Sequence, residues 1–302
     1  MSKVLIEKIA TFSGHSDCVY RLTAAADKDS FYSAGGDGNV VHWHLNKPEE
    51  GKIIAKVDSS IYALCYLPER RWLVIGQNFE GIHIINVDNN SLVKSINVSK
   101  AAIFDIEVID NQLILACGDG EVIIIELTNF TTVARLKLSD KSARCIKLID
   151  NQNIFVGFSD LHIRKINLSK FSTVKQWKAH DNSVFSLDYY KKENTLLSVG
   201  RDAQIRLWDL ATDFEESKTI PAHMYAINHI CFSPDQTLFA SCSMDKAIKI
   251  WDSNTKELIK VIDKSKYPAH GTSINRLLWN SNDILLCCSD DRSITAWKLR
   301  LN

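Results

Sequence analysis

Apolar and polar residues alternate with a period of two in many short segments of this chain. Ile205 and Leu207 fall on one side of such a segment and Arg206 and Trp208 on the other, and Ile248 and Ile250 oppose Lys249 and Trp251 in the same way. This is the pattern of half-buried β-strands, and no strong helical periodicity accompanies it. Between Ser183 and Ile220 four strands are predicted, Ser183 to Tyr189, Thr195 to Val199, Gln204 to Asp209 and Ser217 to Ile220. The polar clusters Lys191-Lys192-Glu193-Asn194 and Arg201-Asp202 punctuate them. Asp37-Gly38 and Asp119-Gly120 read as hairpin turns, because glycine adopts positive φ at little cost.

The four-strand unit recurs. Segments of the third-strand type end at Trp43, Ile85, Ile125, Ile166, Trp208, Trp251 and Trp297, at intervals of 42, 40, 41, 42, 43 and 46 residues. Seven copies fill residues 1–302 and are read as one domain. A four-stranded sheet of this size cannot bury both faces alone, so it must stack on sheets like itself, and twisted sheets stacked radially close into a ring. The predicted fold is therefore all-β, a seven-bladed β-propeller of four-stranded antiparallel blades. The last copy stops after its third strand, while Val4 to Thr11 precedes the first copy unpaired. That segment is expected to supply the missing strand and remove an exposed edge.

Composition narrows the function. Lys plus Arg and Asp plus Glu each number 36, so no global basic field exists to hold nucleic acid or an acidic membrane. The start of the chain breaks its apolar stretch at Glu7 and Lys8, and the longest apolar runs elsewhere are far below the roughly 20 residues of a membrane span. A soluble, cytoplasmic chain is expected. Eight scattered cysteines form no Cys-x-x-Cys pair, and Cys65, Cys117, Cys145, Cys231, Cys242, Cys287 and Cys288 read as small buried hydrophobes. His42 and His44 share one strand face, but no third ligand accompanies them. No metal or cofactor is expected.

Three copies share a further pattern. His15, Ser33, Asp37 and Trp43 in copy one, His180, Ser198, Asp202 and Trp208 in copy five, and His223, Ser241, Asp245 and Trp251 in copy six all place His 22 residues before Asp and Asp six before Trp. In these residues the chain resembles the WD-repeat family along its whole length. The resemblance implies a hydrogen-bonded relay from Asp to His to Ser to Trp, tying the loop before the inner strand to the second and third strands. Copy seven keeps His270, Asp291 and Trp297 but has Cys287 in place of the serine, so its relay is expected to be interrupted. Copies two to four lack the histidine and the tryptophan. Copies three and four keep Asp119 and Asp160, whereas copy two has Phe79 there, and these middle blades are expected to be looser. A catalytic triad is disfavoured because the same trio recurs at equal spacing in separate blades, as a structural staple would.

The resemblance also implies a non-enzymatic scaffold that binds proteins or peptides on the top face, within a multiprotein assembly, the propeller itself being monomeric. Carried over position by position, the partner-binding candidates are Tyr20, Tyr62, Asn78, Phe104, Arg144, Phe185, Arg201, Asn228, Met244, Asn275 and Asp290. Aromatic and arginine side chains anchor many interfaces. The alternative for the rings is that they turn into blade packing, since a one-residue slip reverses a strand's faces. Two other functions remain open: a small-ligand or enzymatic site in the channel mouth, and a nucleic-acid-associated factor.

Overall fold

A computed structural model describes residues 4–301. They form 28 strands, numbered in chain order, and two single-turn 3-10 segments, Pro68–Arg70 and Lys191–Glu193. The strands make seven antiparallel four-stranded sheets. The inner strands are β2 (Val19–Ala24), β6 (Ile61–Leu67), β10 (Ile103–Ile109), β14 (Ala143–Leu148), β18 (Val184–Tyr190), β22 (Ile227–Phe232) and β26 (Ile274–Trp279). Each touches the next, and β26 touches β2, which closes the ring.

Closure has a covalent logic. β1 (Val4–Ser13) pairs antiparallel with β28 (Ser293–Leu301), from Val4 opposite Leu301 to Ser13 opposite Ser293, and is the fourth strand of blade seven. The expected strand is thus present and two residues longer than the sequence pattern indicated. Phe12 on β1 is fully buried and meets Phe31 edge-on at 5.0 Å and Trp43 at 5.6 Å, both from blade one. One segment therefore bonds to the last blade and packs on the first, and burial of the Phe12 ring alone contributes roughly 2–3 kcal/mol.

The cores lie between successive blades, where the faces of neighbouring sheets interdigitate. Of the seven cysteines assigned to the interior, Cys117, Cys145, Cys242, Cys287 and Cys288 are buried, but Cys65 and Cys231 are only half-buried, because they stand on inner strands and face the central channel. All eight cysteines are free thiols.

Candidate functional site

The relay residues occupy the places their spacing indicates. In blade one the His15 ring bonds through Nδ1 to Asp37 at 3.0 Å and through Nε2 to Ser33 Oγ at 2.7 Å, and Trp43 Nε1 donates to the same Oγ at 2.8 Å. Blade five repeats this with His180, Asp202, Ser198 and Trp208 at 2.9, 2.7 and 2.8 Å. Blade six does so with His223, Asp245, Ser241 and Trp251 at 2.8, 2.8 and 3.0 Å. A neutral imidazole with its proton on Nδ1 satisfies every group: Nδ1–H donates to the carboxylate, the hydroxyl donates to Nε2, and its oxygen accepts from indole. Ser33, Ser198 and Ser241 are 0% exposed, so no substrate can reach these hydroxyls.

Each carboxylate also holds the turn. Asp37 accepts from the amides of Ser16 at 2.9 Å and Asn39 at 3.0 Å, and Asp202 accepts from those of Asp181 and Gln204. Burial opposes the charge of Asp202, but the His180 and amide hydrogen bonds outweigh it and keep its pKa below the usual carboxylate range. The residue after the aspartate has positive φ, supplied freely by Gly38 and Gly120 but imposed on Leu161, Ala203, Lys246 and Arg292.

Blade seven corrects the expected interruption. Thr295 takes over the serine's role: its Oγ1 lies 3.0 Å from His270 Nε2, accepts from Trp297 Nε1 at 2.9 Å and sits 2.9 Å from Cys287 Sγ. Thr295 pairs directly opposite Cys287 across two strands, and it precedes Trp297 by two residues on the same face, so its hydroxyl fills the space the missing serine leaves.

The middle blades use a different lock. Ser99 and Ser139, each four residues before the first residue of its inner strand, stand where the other blades have histidine. Their hydroxyls donate to Asp119 at 3.1 Å and Asp160 at 2.7 Å. Arg164 adds bonds to Asp160 at 2.7 and 3.1 Å. In place of the serine and tryptophan stand Ile75 and Ile85 in blade two, Leu115 and Ile125 in blade three, and Val156 and Ile166 in blade four, all buried. Blade two lacks the aspartate, and its turn between Gln77 and Ile82 holds Phe79 at positive φ and 62% exposed.

All seven inner strands carry a register shift one residue after their first residue. The unpaired residues at these bulges are Tyr20, Tyr62, Phe104, Arg144, Phe185, Asn228 and Asn275. A bulge re-aims its side chain, and here all seven face one cavity of about 520 Å³ at the mouth of the channel, with Arg21, Arg276 and Met244 completing its lining. Tyr20 and Tyr62 lie 5.1 Å apart and Tyr62 and Phe104 5.5 Å apart. The Arg144 guanidinium covers Phe104 at 3.9 Å and Phe185 at 5.1 Å. The rings are half-buried and form an arc around the mouth.

Of the eleven candidates, eight meet in this funnel and three do not. Arg201 is exposed on the rim of blade five, Asn78 is half-buried in the blade two turn, and Asp290 accepts from Asn275 Nδ2 at 2.7 Å beside the funnel. The two asparagines also fasten blades together. Asn228 donates to the carbonyl of Ile274 at 2.9 Å, and Asn275 to that of Val19 at 2.9 Å across the ring closure. Sequence reasoning missed Met224 and Tyr225, 84% and 64% exposed, which adjoin Met244 on the rim of blade six. Two large apolar residues stand there where copies one and five have Ser16-Asp17 and Asp181-Asn182, and that contrast was the available signal.

Below the mouth the channel narrows into a second cavity of about 340 Å³. Arg21 donates to Asp105, whose other oxygen accepts from the amide of Ile146 at 2.9 Å. Burial disfavours charged Lys147, but Asp188 at 2.6 Å outweighs it and raises its pKa. Burial first and then Asp105 push the Glu107 carboxyl up to about 7. His229, buried among Arg276, Arg21 and Lys147, is held neutral, and its Nδ1 accepts from the amide of Leu277 at 3.3 Å. Among the described residues no group of three or more His, Cys, Asp or Glu side chains is arranged to hold a metal ion, and His42 instead packs against Tyr32 at 4.9 Å.

The family described as WD40, WD domain, G-beta repeat, matches residues 6–44, 171–209, 214–252 and 262–298, half of the chain. The chain belongs to the WD-repeat family. Each matched segment ends on the third strand of a relay blade, one, five, six or seven, and begins at the outer strand of the blade before it. The WD40 β-propeller domain of Doa1 superposes with a TM-score of 0.85 over 97% of each chain at 19% identity, which shows the shared fold. Actin-interacting protein 1 of Caenorhabditis elegans is 19% identical over 95% of this chain and 47% of its own length, and transducin beta-like protein 3 of Rattus norvegicus 23% identical over 96% and 40%. Protein HIRA of Dictyostelium discoideum is 29% identical over 41% of this WD-repeat chain and 13% of its own length. The chain thus spans less than half the length of these relatives. Among its described residues no helix is long and apolar enough to cross a membrane.

Proposed function

We propose that this WD-repeat protein is a non-enzymatic scaffold that docks a protein or peptide partner on the mouth of its channel, as a component of a larger assembly. The observation that carries this reading is the ring of seven bulge residues. A strand bulge leaves its residue without a cross-strand partner, so no pairing fixes the choice of side chain there, yet four of the seven are aromatic and one is arginine. Half-buried rings that few rotors fix in place bury much area at small entropic cost when a partner covers them. The exposed Met224, Tyr225 and Met244 extend the apolar surface onto the rim of blade six. One relative matched along nearly the whole chain bears a name that describes interaction with another protein, actin, which supports the class of function and not the partner.

The test is affinity capture with quantitative mass spectrometry, comparing the intact chain with a Tyr62→Ala, Phe104→Ala, Phe185→Ala variant. The reading expects partners captured by the intact chain to fall at least about tenfold on the variant while its melting temperature stays unchanged. Full retention of every partner on a folded variant removes the mouth as the docking surface.

A further inference from the structure

The funnel has a sign. Three arginines line it, Arg21, Arg144 and Arg276, and no carboxylate does. Arg21 is neutralised from below by Asp105. Arg144 lies over the faces of Phe104 and Phe185 with no carboxylate within salt-bridge distance among the described residues, and burial lowers its pKa. Arg276 stands on β26 where the funnel meets the throat and belongs to the lining of both cavities. Its guanidinium makes no hydrogen bond and no ion pair among the described residues, and burial together with the neighbouring Arg21 charge pushes its pKa down to about 10. The throat carboxylates offer it little. Asp105 is engaged by Arg21 and the Ile146 amide and Asp188 by Lys147 and the Phe232 amide, while Glu107 makes no side-chain hydrogen bond or ion pair among the described residues.

The Arg276 side chain is half-buried and lines the open channel, so its guanidinium faces an incoming group with no acceptor of the protein holding it among the described residues. Its five donors are fixed in a planar fork that matches a carboxylate or a phosphate.

We propose that the funnel is an anion site, in which Arg276, with Arg144 above it, receives the acidic side chain of a docked peptide while the flanking residues of that peptide cover the aromatic arc. This rests on the reading of the mouth as the docking surface and adds the chemistry of what enters it. A peptide fits better than a nucleic acid: the basic groups converge in one cavity of about 520 Å³ and form no stripe that could follow successive phosphates, and the chain as a whole is neutral. A free inorganic anion would leave the aromatic arc and the Met224 and Tyr225 rim uncovered, whereas an extended chain reaches both.

The experiment is selection of random 12-residue peptides displayed on phage against the full chain. The selected peptides are then synthesised and titrated by fluorescence anisotropy against the intact chain, Arg276→Gln, Arg276→Lys, Arg144→Gln and the Tyr62→Ala, Phe104→Ala pair. The site predicts an Asp or Glu at a fixed position, a loss of about tenfold or more in affinity on Arg276→Gln, and a partial loss on Arg276→Lys, which keeps the charge without the fork. Replacing that residue by Gln in the peptide should cost as much, and replacing it by phosphoserine distinguishes a carboxylate site from a phosphate site. Arg276→Gln removes an unpaired charge, so its melting temperature should not fall. Selected peptides without an acidic residue that still lose binding on the Tyr62→Ala, Phe104→Ala pair overturn the anion site and leave the docking surface standing. Peptides that bind every variant equally, or no selection at all, overturn both.

Discussion

Blades one, five, six and seven lock their turns through a buried polar relay, whereas blades two, three and four put aliphatic pairs in the same space. The two solutions coexist in one ring with the same strand order and the same bulge. What they share is completeness. Where the histidine is absent the serine and tryptophan are absent too, so Ile75 with Ile85, Leu115 with Ile125 and Val156 with Ile166 leave no member of a relay without its partners. Replacing both partners of a buried hydrogen bond by apolar groups is nearly neutral, while removing one is costly. The middle blades also supply Tyr62, Phe104 and Arg144, three of the seven bulge residues at the mouth, so the departure from the relay does not mark them as spare.

The comparison breaks most clearly in blade seven. Thr295→Val strips His270 Nε2 and Trp297 Nε1 of their common partner and should destabilise the chain by about 2–4 kcal/mol in urea unfolding. Adding Cys287→Ser restores a hydroxyl where blades one, five and six have theirs, and should recover most of that loss. Failure of the rescue means that Thr295 acts by packing and not as the relay's hydroxyl.

Asp202→Ala should follow, at about 1–3 kcal/mol, because it leaves a buried His180 and the amide of Asp181 without their acceptor. Ser99→Ala in blade three removes one hydroxyl donor from Asp119 and the acceptor of the Ala101 amide, but strands no buried ring, and should cost less than Asp202→Ala, about 1 kcal/mol. Equal losses at Asp202 and Ser99 would mean that the relay carries no more of the load than the simpler lock does.

Acid should act on the turn aspartates as well. Asp37, Asp202, Asp245 and Asp291 are held below the ordinary carboxylate range against the opposing effect of burial, Asp291 at about 2, and of the corresponding turn aspartates in the middle blades Asp160 is also lowered. Such a carboxyl binds fewer protons folded than unfolded. Its contribution is complete above a pH of about 4 and disappears as the pH falls through its folded value. The urea midpoint should therefore decline between about pH 4 and pH 2, and Asp291→Asn should flatten that decline by the equivalent of about 1 kcal/mol, discounted for partial exposure. An unchanged slope in Asp291→Asn would place the acid sensitivity elsewhere.

Much of this was legible in the chain. The period of about 42 residues and the 22-residue interval from His to Asp located the blades, the turns and three relays, and the unpaired opening segment gave the ring closure. Thr295 was not legible, because its hydroxyl arrives from a cross-strand neighbour and a pattern read along one strand position sees only Cys287. Ser99 and Ser139 were visible only once the inner strands fixed the register. Strict alternation left the direction of Tyr62 and Phe104 undetermined, and the bulge that turns them into the channel has no marker in residue type. Arg201, Asn78 and Asp290 were carried over by position, and the funnel is narrower than the rim on which they stand.

Shape and recognition fall to different residues here: the locks hold the ring, and the mouth is the proposed binding surface. The most direct measurement takes two variants through the same melting and partner-capture assays, Asp202→Ala and the Tyr62→Ala, Phe104→Ala, Phe185→Ala triple. The expected result is a double dissociation, with a lowered melting temperature and retained partners for the first, and an unchanged melting temperature and lost partners for the second. Retention of every partner by the triple variant, or equal loss of partners from a still-folded Asp202→Ala, contradicts it.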